Sequence, residues 1–417
     1  MLDIKLIREN PDKVKDAIAS KGADPKLVDQ FLKADSAWRE LTQEIEALRS
    51  EQKKATRSTG SGQVEARDIE KGKKLKIEIQ DREAAQRILA EKRDGILDGL
   101  PNIPFPDAPV GRDERENKVL REIGEKPEFP FEAKDYMALA EAHDLVDTKK
   151  AAEVSGSRFG YLKNEAVLME FGLVELGMKF LVGKGFSPVV PPVMIRPEVY
   201  RGMGRLAGDQ KEERYYFEKD DLYLVGSSEH TVGPLHLNDV IEEGKLPRHY
   251  VAFSTCFRRE AGSYGKDTKG ILRVHQFDKL EMFSFAKPAE SEKEHQFLLS
   301  LQEELMQKLE LPYRVVEICT GDMGWTDARQ YDIETWMPGE NKYRETHSCS
   351  NTTDFQARGI NAKFRAGGKT EFLHMLNATV FAVGRTLIAI FENCQTKDGK
   401  IKIPKVLQPY VGKEIIG

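Results

Sequence analysis

Two stretches hold the side chains best suited to chemistry: Phe257-Arg258-Arg259-Glu260-Ala261-Gly262-Ser263 and His275-Gln276-Phe277-Asp278-Lys279-Leu280-Glu281. They read as two strands joined by a Gly- and Lys-rich loop. Side chains alternate between faces along a strand. Arg258 and Glu260 then share a face of the first strand, and Arg273, Phe277 and Glu281 share a face of the second. A sheet face turned to a core is apolar. A face with guanidiniums, carboxylates and an aromatic ring suits a ligand with phosphates, an amine and a flat ring, that is, a nucleotide together with an amino acid.

The elements that must position these groups fall into two regions. Residues 1 to about 105 are rich in Lys, Glu, Gln and Ala and nearly free of strand signals. The series Phe31, Ala34, Trp38, Leu41, Ile45, Leu48, Gln52, Ala55 alternates steps of three and four, as in a coiled-coil seam. Ser58 to Gly62 reads as a turn. A second helix from about Glu65 to Leu97 has a less regular seam of Leu75, Ile79, Ala85, Leu89 and Ile96. The pair folds back as an antiparallel hairpin. Between Arg49 and Lys76 nine cations face four anions, whereas the whole chain of 417 residues carries −5. Pattern alone fits a structural or dimerising coiled coil; the local charge fits a phosphate-backbone reader.

Pro101, Pro104, Pro106 and Pro109 form a stiff linker. Beyond it, strand-like runs (Ser187 to Ile195, Tyr250 to Arg258, Val274 to Phe285, Tyr313 to Cys319, Phe372 to Asn377) alternate with helices (Asn164 to Val182, Ser291 to Leu309, Thr379 to Cys394). The expected fold class is α+β: an antiparallel sheet flanked by helices, with the coiled-coil hairpin at residues 1–105 and a catalytic domain at 106–417. Neither the dinucleotide glycine fingerprint nor the Lys-containing phosphate loop is present, so a nucleotide here is held by side chains on a sheet. Cys256, Cys319, Cys349 and Cys394 are scattered, which excludes a zinc cluster or disulfide framework and points to a reducing cytoplasm. The N-terminus lacks an apolar signal core, and Glu170, Glu175 and Lys179 interrupt the most apolar helix, so no membrane partner is expected.

The chain resembles the seryl-tRNA synthetases, a class II aminoacyl-tRNA synthetase family, over nearly its whole length. The first class II motif matches the helix ending near Val182 and the strand through Pro191-Pro192. The second matches Phe257 to Glu281, and the third Leu376-Asn377-Ala378-Thr379 through Arg385 to Glu392-Asn393. Thr320-Gly321-Asp322-Met323-Gly324, Tyr331-Asp332-Ile333-Glu334 and Ser348-Cys349-Ser350-Asn351 add family-specific text. The resemblance implies that L-serine and ATP form seryl-adenylate and that serine passes to tRNA(Ser), with tRNA(Sec) left open as a second acceptor.

By the same resemblance, Arg258 bridges the substrate carboxylate and the α-phosphate and, with Arg385 and Glu345, is catalytic. Glu260 accepts from the adenine amine, Phe277 stacks on the ring, and Arg273 and Arg385 hold the outer phosphates. Arg259, Thr346 and His347 complete the ATP segment. Glu345 and Ser348 bind Mg2+. Ser227, Ser228, Glu229, Arg258, Glu281 and Thr379 surround serine. Lys53, Lys54, Arg57, Lys71 and Lys74 on the hairpin, and Lys266 and Lys269 in the loop, contact tRNA. The motif 1 helix, with Phe171, Val174, Met178 and Leu181, forms a homodimer interface.

The chain departs from the family pattern at Ser227-Ser228-Glu229, Ala378-Thr379, Arg259, His347 and the run Arg201 to Leu206. His347 either alters nucleotide affinity or points to solvent. A catalytically silent or carrier-protein-directed homologue is the rival reading. The retained hairpin and the set Arg258, Glu260, Glu281, Glu345 and Arg385 speak against it.

Overall fold

The computed structural model describes residues 1–58, 66–261 and 270–417. Contacts divide the chain into two compact units, residues 2–101 and residues 102–417 together with residue 1.

In the smaller unit, α1 (Lys26–Ser58) and α2 (Ala66–Asp98) lie antiparallel. Cross-pairs run in opposite directions along them: Arg93 over the Trp38 ring, Gln86 to Thr42, Arg49 to Glu83 and Lys71 to Glu51. Phe31, Ala34 and Ile45 of the first seam are buried. On α2 the expected seam holds at Leu75 and Ile79, but Ala85 is exposed and Leu97, not Ile96, is buried. Arg82, Gln86 and Arg93 also enter the contact, facing Glu44, Thr42 and Trp38. A seam made of polar partners leaves no apolar period to read. Two short helices, Ile4–Glu9 and Pro11–Ser20, bury Ile7, Val14 and Ile18. Asp3 caps the first and Pro11 opens the second. Both are too short to show a period in the sequence.

The larger unit is built on an eight-stranded sheet. Its strands are β1 (Lys118–Ile123), β2 (Ser187–Val189), β3 (Arg248–Phe257), β4 (Gln276–Ala286), β5 (Tyr313–Glu317), β6 (Arg329–Met337), β7 (Lys342–Asn351) and β8 (His374–Ala382). The order is β1-β5-β6-β7-β8-β4-β3-β2, antiparallel except for the last pair. Helices α3 (Glu165–Gly183), α4 (Ser291–Lys308) and α5 (Val383–Asn393) cover one face. Leu280, Met282, Cys349, Leu376, Ala378 and Val380 point into the core beneath them. Close approach of α3 requires glycine at 177, where a Cβ would stand 2.6 Å from Leu280 Cδ2.

Several boundaries differ from the sequence reading. β3 ends at Phe257, so Arg258 and Glu260 lie beyond it, and Glu260 adopts a φ of +52°. Strand alternation therefore does not apply to them. The segment Phe372 to Cys394 divides at Ala382/Val383 rather than at Asn377/Thr379. Thr379, Val380 and Phe381 are β-branched or aromatic and keep the chain extended. Ser187 to Ile195 is two short strands in separate sheets. β1, β6 and β7 are absent from the sequence reading; all three are polar enough to hide their alternation.

Candidate active site

The sheet face opposite the three helices carries a cavity of about 490 Å³. That volume suits a ligand of nucleotide size. Alternation supplies most of its floor. Phe277 and Lys279 of β4, Ser348 and Ser350 of β7, and Asn377 and Thr379 of β8 line it, while Cys349 and Ala378 between them enter the core and Asp278 meets Glu170 of α3. Two bulges adjust the pattern. β6 pairs Ile333 with His347 and Glu334 with Glu345, so Thr346 is an extra residue in β7. That one insertion lets Glu345 and Ser348 face the same cavity despite their opposite parity. Opposite Leu280/Glu281, Val380 is the extra residue in β8.

Arg258 arrives from the end of β3. Its Nε donates to the Gly226 carbonyl at 3.1 Å and its guanidinium lies 5.2 Å from the Phe277 ring centre. A Cβ at Gly226 would stand 2.5 Å from Arg214 Nη1, so any larger residue there must displace the Arg214 guanidinium. Arg273 Nη1 donates to Glu260 Oε2 at 3.2 Å. Arg385 stands in the first turn of α5, donates to the Glu345 carbonyl at 2.8 Å and pairs with its carboxylate at 3.3 Å. Arg385 is thus partly exposed and partnered, not the costly buried cation its apolar neighbours suggest. Phe381, read as lying in the same helix, is in β8.

The deep end is a dense charge cluster. Glu229 is held by Arg205, with His230 Nε2 at 3.3 Å. Lys279 pairs with Glu281, and Thr379 Oγ1 donates to Glu281 Oε1 at 3.1 Å. Burial raises the Glu229 carboxyl, but Arg205, His230 and Lys279 outweigh it, and the group stays well below the usual range. Burial wins at Glu281, whose carboxyl lies above its ordinary value even beside Lys279. Arg385 and Arg258 hold Glu345, whose side chain is 51% exposed, below the usual range. Buried polar atoms are normally partnered. Here Ser227 Oγ, Glu281 Oε2, Asn377 Nδ2, Arg205 Nε and Arg214 Nε are buried without a protein partner among the described residues.

Of the residues expected from sequence, Ser227, Glu229, Arg258, Glu260, Arg273, Phe277, Glu345, Thr346, Ser348, Thr379 and Arg385 line this one cavity. Glu281 stands just behind it, bonded to two of its walls. Three others do not reach it. Ser228 is buried and donates to the Ala252 carbonyl at 3.3 Å. Arg259 turns to the Tyr215 ring, 5.7 Å away, and lines a separate small cavity with Arg158 and His275. His347 neither meets nucleotide space nor points to solvent: it is 1% exposed, beside Phe381, with Nδ1 2.8 Å from Thr346 Oγ1. Lys266 and Lys269 and the Arg57 side chain lie outside the described residues. Lys53, Lys54, Lys71 and Lys74 are exposed on the hairpin, the last two paired with Glu51 and Glu70.

Sequence reasoning passes over Lys279, Arg205, Arg214, Asn377 and Asp327, all on the cavity wall. Lys279 shares the parity of Phe277 and Glu281 and is readable by the same rule. Arg205 and Arg214 sit in an irregular segment with no period to flag them.

Residues 1–104 match the seryl-tRNA synthetase N-terminal domain, and residues 215–394 the class II tRNA synthetase core domain (G, H, P, S and T). A serine–tRNA ligase from Dictyoglomus turgidum is 43% identical over 99% of this chain and 98% of its own. The chain belongs to the seryl-tRNA synthetase family. A seryl-tRNA synthetase from Pyrococcus horikoshii, solved with ATP, superposes with a TM-score of 0.92 at 41% identity, covering 100% of this chain and 99% of that one. A cytoplasmic serine–tRNA ligase from Naegleria fowleri, solved with AMP, gives 0.86 at 32% identity, covering 100% and 98%. Membership places the class II core on the eight-stranded sheet and the N-terminal family domain on the hairpin unit. No helix among the described residues is long and apolar enough to cross a membrane.

Proposed function

We propose that the chain is a serine–tRNA ligase that activates L-serine with ATP and transfers it to tRNA(Ser). One observation carries this reading: Arg258, Glu260, Phe277, Glu345, Thr379 and Arg385, from separate segments, line a single cavity. A serine carboxylate oxygen attacks the α-phosphorus, the new O–P bond forms, and pyrophosphate leaves with the electrons of the broken bond. Arg258 neutralises charge gathering on the phosphoryl oxygens, and its planar fork suits two oxyanions at once. Phe277 and Glu260 hold the adenine, and Arg273 and Arg385 hold the outer phosphates. In the second step a ribose hydroxyl of the tRNA end attacks the carbonyl carbon, loses its proton, and AMP departs.

Serine selection follows from Ser227, Glu229, Glu281 and Thr379. Glu229 meets the ammonium, and the others read the hydroxyl. Alanine leaves those buried groups unpaired, which such sites reject strongly.

Glu345 and Ser348 fit a magnesium ion: one carboxylate and one hydroxyl, with phosphate oxygens to complete the shell. Asp332, across from Ser348, is held well above the carboxyl range by burial and then by Glu345, a local excess of acid that an added cation relieves. Bound there, magnesium would neutralise phosphate charge.

The hairpin carries the lysines proposed to meet tRNA. α3 exposes Leu168, Phe171 and Val182, which supports a homodimer through that helix; Leu181, grouped with that face from sequence, is core. A cytoplasmic location completes the reading. The test is pyrophosphate exchange into ATP with serine, alanine or threonine. Serine should dominate; equal exchange with all three removes the specificity.

A further inference from the structure

Among the described residues two side chains pair with Glu229, and both meet the same oxygen. Arg205 Nη2 donates to Oε1, and His230 Nε2 stands 3.3 Å from Oε1. The His230 ring is neutral in effect: its Nδ1 accepts from the Gly226 N–H at 3.1 Å and meets the Tyr200 hydroxyl at 2.9 Å, so Nε2 carries the proton. Lys279 is engaged by Glu281. Arg205 is therefore the cation directly bonded to a carboxylate that is only 6% exposed. Neither pairing uses Oε2, and Glu229 is one of the residues lining the cavity.

The backbone delivers Arg205 for this task. The helix Pro197–Gly202 ends in a turn at Gly204, whose φ is +71° and whose missing Cβ would stand 2.8 Å from Phe355 Cε1 and from Thr326 Cγ2. Only glycine makes that turn against those walls. The next residue is Arg205, with its Nε buried and without a partner among the described residues.

We propose that Arg205 is a positioning residue for serine recognition: it pins Oε1 of Glu229, keeps the carboxylate ionised, and aims Oε2 at the ammonium of the amino acid. The proposal rests on the serine-activating reading above. A buried carboxylate stripped of its partner sheds its charge, and a neutral Glu229 attracts an ammonium weakly.

Steady-state pyrophosphate exchange on the full chain tests this. The parent enzyme must first exchange with serine; if it does not, the functional reading fails, independently of Arg205. Given that activity, Arg205→Met should raise KM for serine at least tenfold, with kcat and KM for ATP within about threefold. Arg205→Lys should recover most of the loss. Combined with Glu229→Gln, Arg205→Met should add little, because the carboxylate it serves is gone. An unchanged serine KM, an equal rise in the ATP KM, or losses that multiply in the double variant would each overturn the proposal. Where Arg205→Met does not fold, Arg205→Gln, which also removes the cation, decides by the same split: a rise confined to serine KM supports the proposal, and an unchanged or evenly shared KM rejects it.

Discussion

Arg258 shows how one side chain can be fixed by its surroundings before any substrate arrives. Its Nε is tied to the Gly226 carbonyl and its plane lies near Phe277. The remaining donors are therefore pre-oriented, and catalysis by charge stabilisation needs little rearrangement. Arg258→Ala should lower pyrophosphate exchange by well over tenfold, since each ~1.4 kcal/mol lost from the transition state is a factor of ten. Exchange rates on purified variant and parent give the answer, and near-normal activity would contradict the role. At this scale residue type and strand parity put Phe277 on the cavity wall and Glu281 just behind it, whereas Ser227, in a bend, is reached only through the family resemblance. Sequence reasoning goes astray at Arg259, Ser228 and His347, which proximity along the chain would place in the site. Neighbours of a site residue on a strand face the other side, and His347 does so, into the core.

Single-residue irregularities decide what an element presents. The extra residue at Thr346 brings Glu345 and Ser348 to one side, and a straight strand would not. Deleting Thr346 should abolish nucleotide binding, as measured by calorimetry with ATP, while far-UV circular dichroism stays near the parent's. No composition rule marks a bulge, so this feature is invisible in the sequence. The hairpin is legible because α1 keeps an apolar period; α2 is readable only in part because its contacts are ion pairs and amides. Replacing Asp29 to Leu97 by a short linker should leave exchange largely intact while tRNA charging collapses. Changing Lys53 and Lys54 together to Ala should weaken tRNA binding and flatten its salt dependence by roughly the number of phosphates lost. Filter binding at several salt concentrations measures both.

Across the whole molecule, burial of titratable groups sets the pH range of stability. Burial lowers His295 to about 4 and His347 to about 4, against 6.5 for a free imidazole. Both rings stay neutral in the fold, whereas the unfolded chain takes up protons below about 6.5. Stability from each is therefore full above that value and is lost as pH falls toward about 4, at about 1.4 kcal/mol per pH unit. His295→Asn should flatten the dependence of unfolding free energy on pH by that amount between those limits. Parallel slopes for variant and parent would contradict the burial argument. Glu170 runs the other way: burial and then Asp278 hold its carboxyl at about 8, so its share is lost as pH rises. The α+β class and the hairpin are legible in the sequence; the neutral histidines and the Arg205 cluster arise only when distant segments pack. The most direct test of the account is calorimetric titration with a non-hydrolysable seryl-adenylate analogue. It should bind at least a hundredfold tighter than AMP or serine alone and lose that advantage in both Arg258→Ala and Glu281→Gln. Binding no tighter than AMP, or indifferent to both substitutions, would contradict a cavity built for the mixed anhydride.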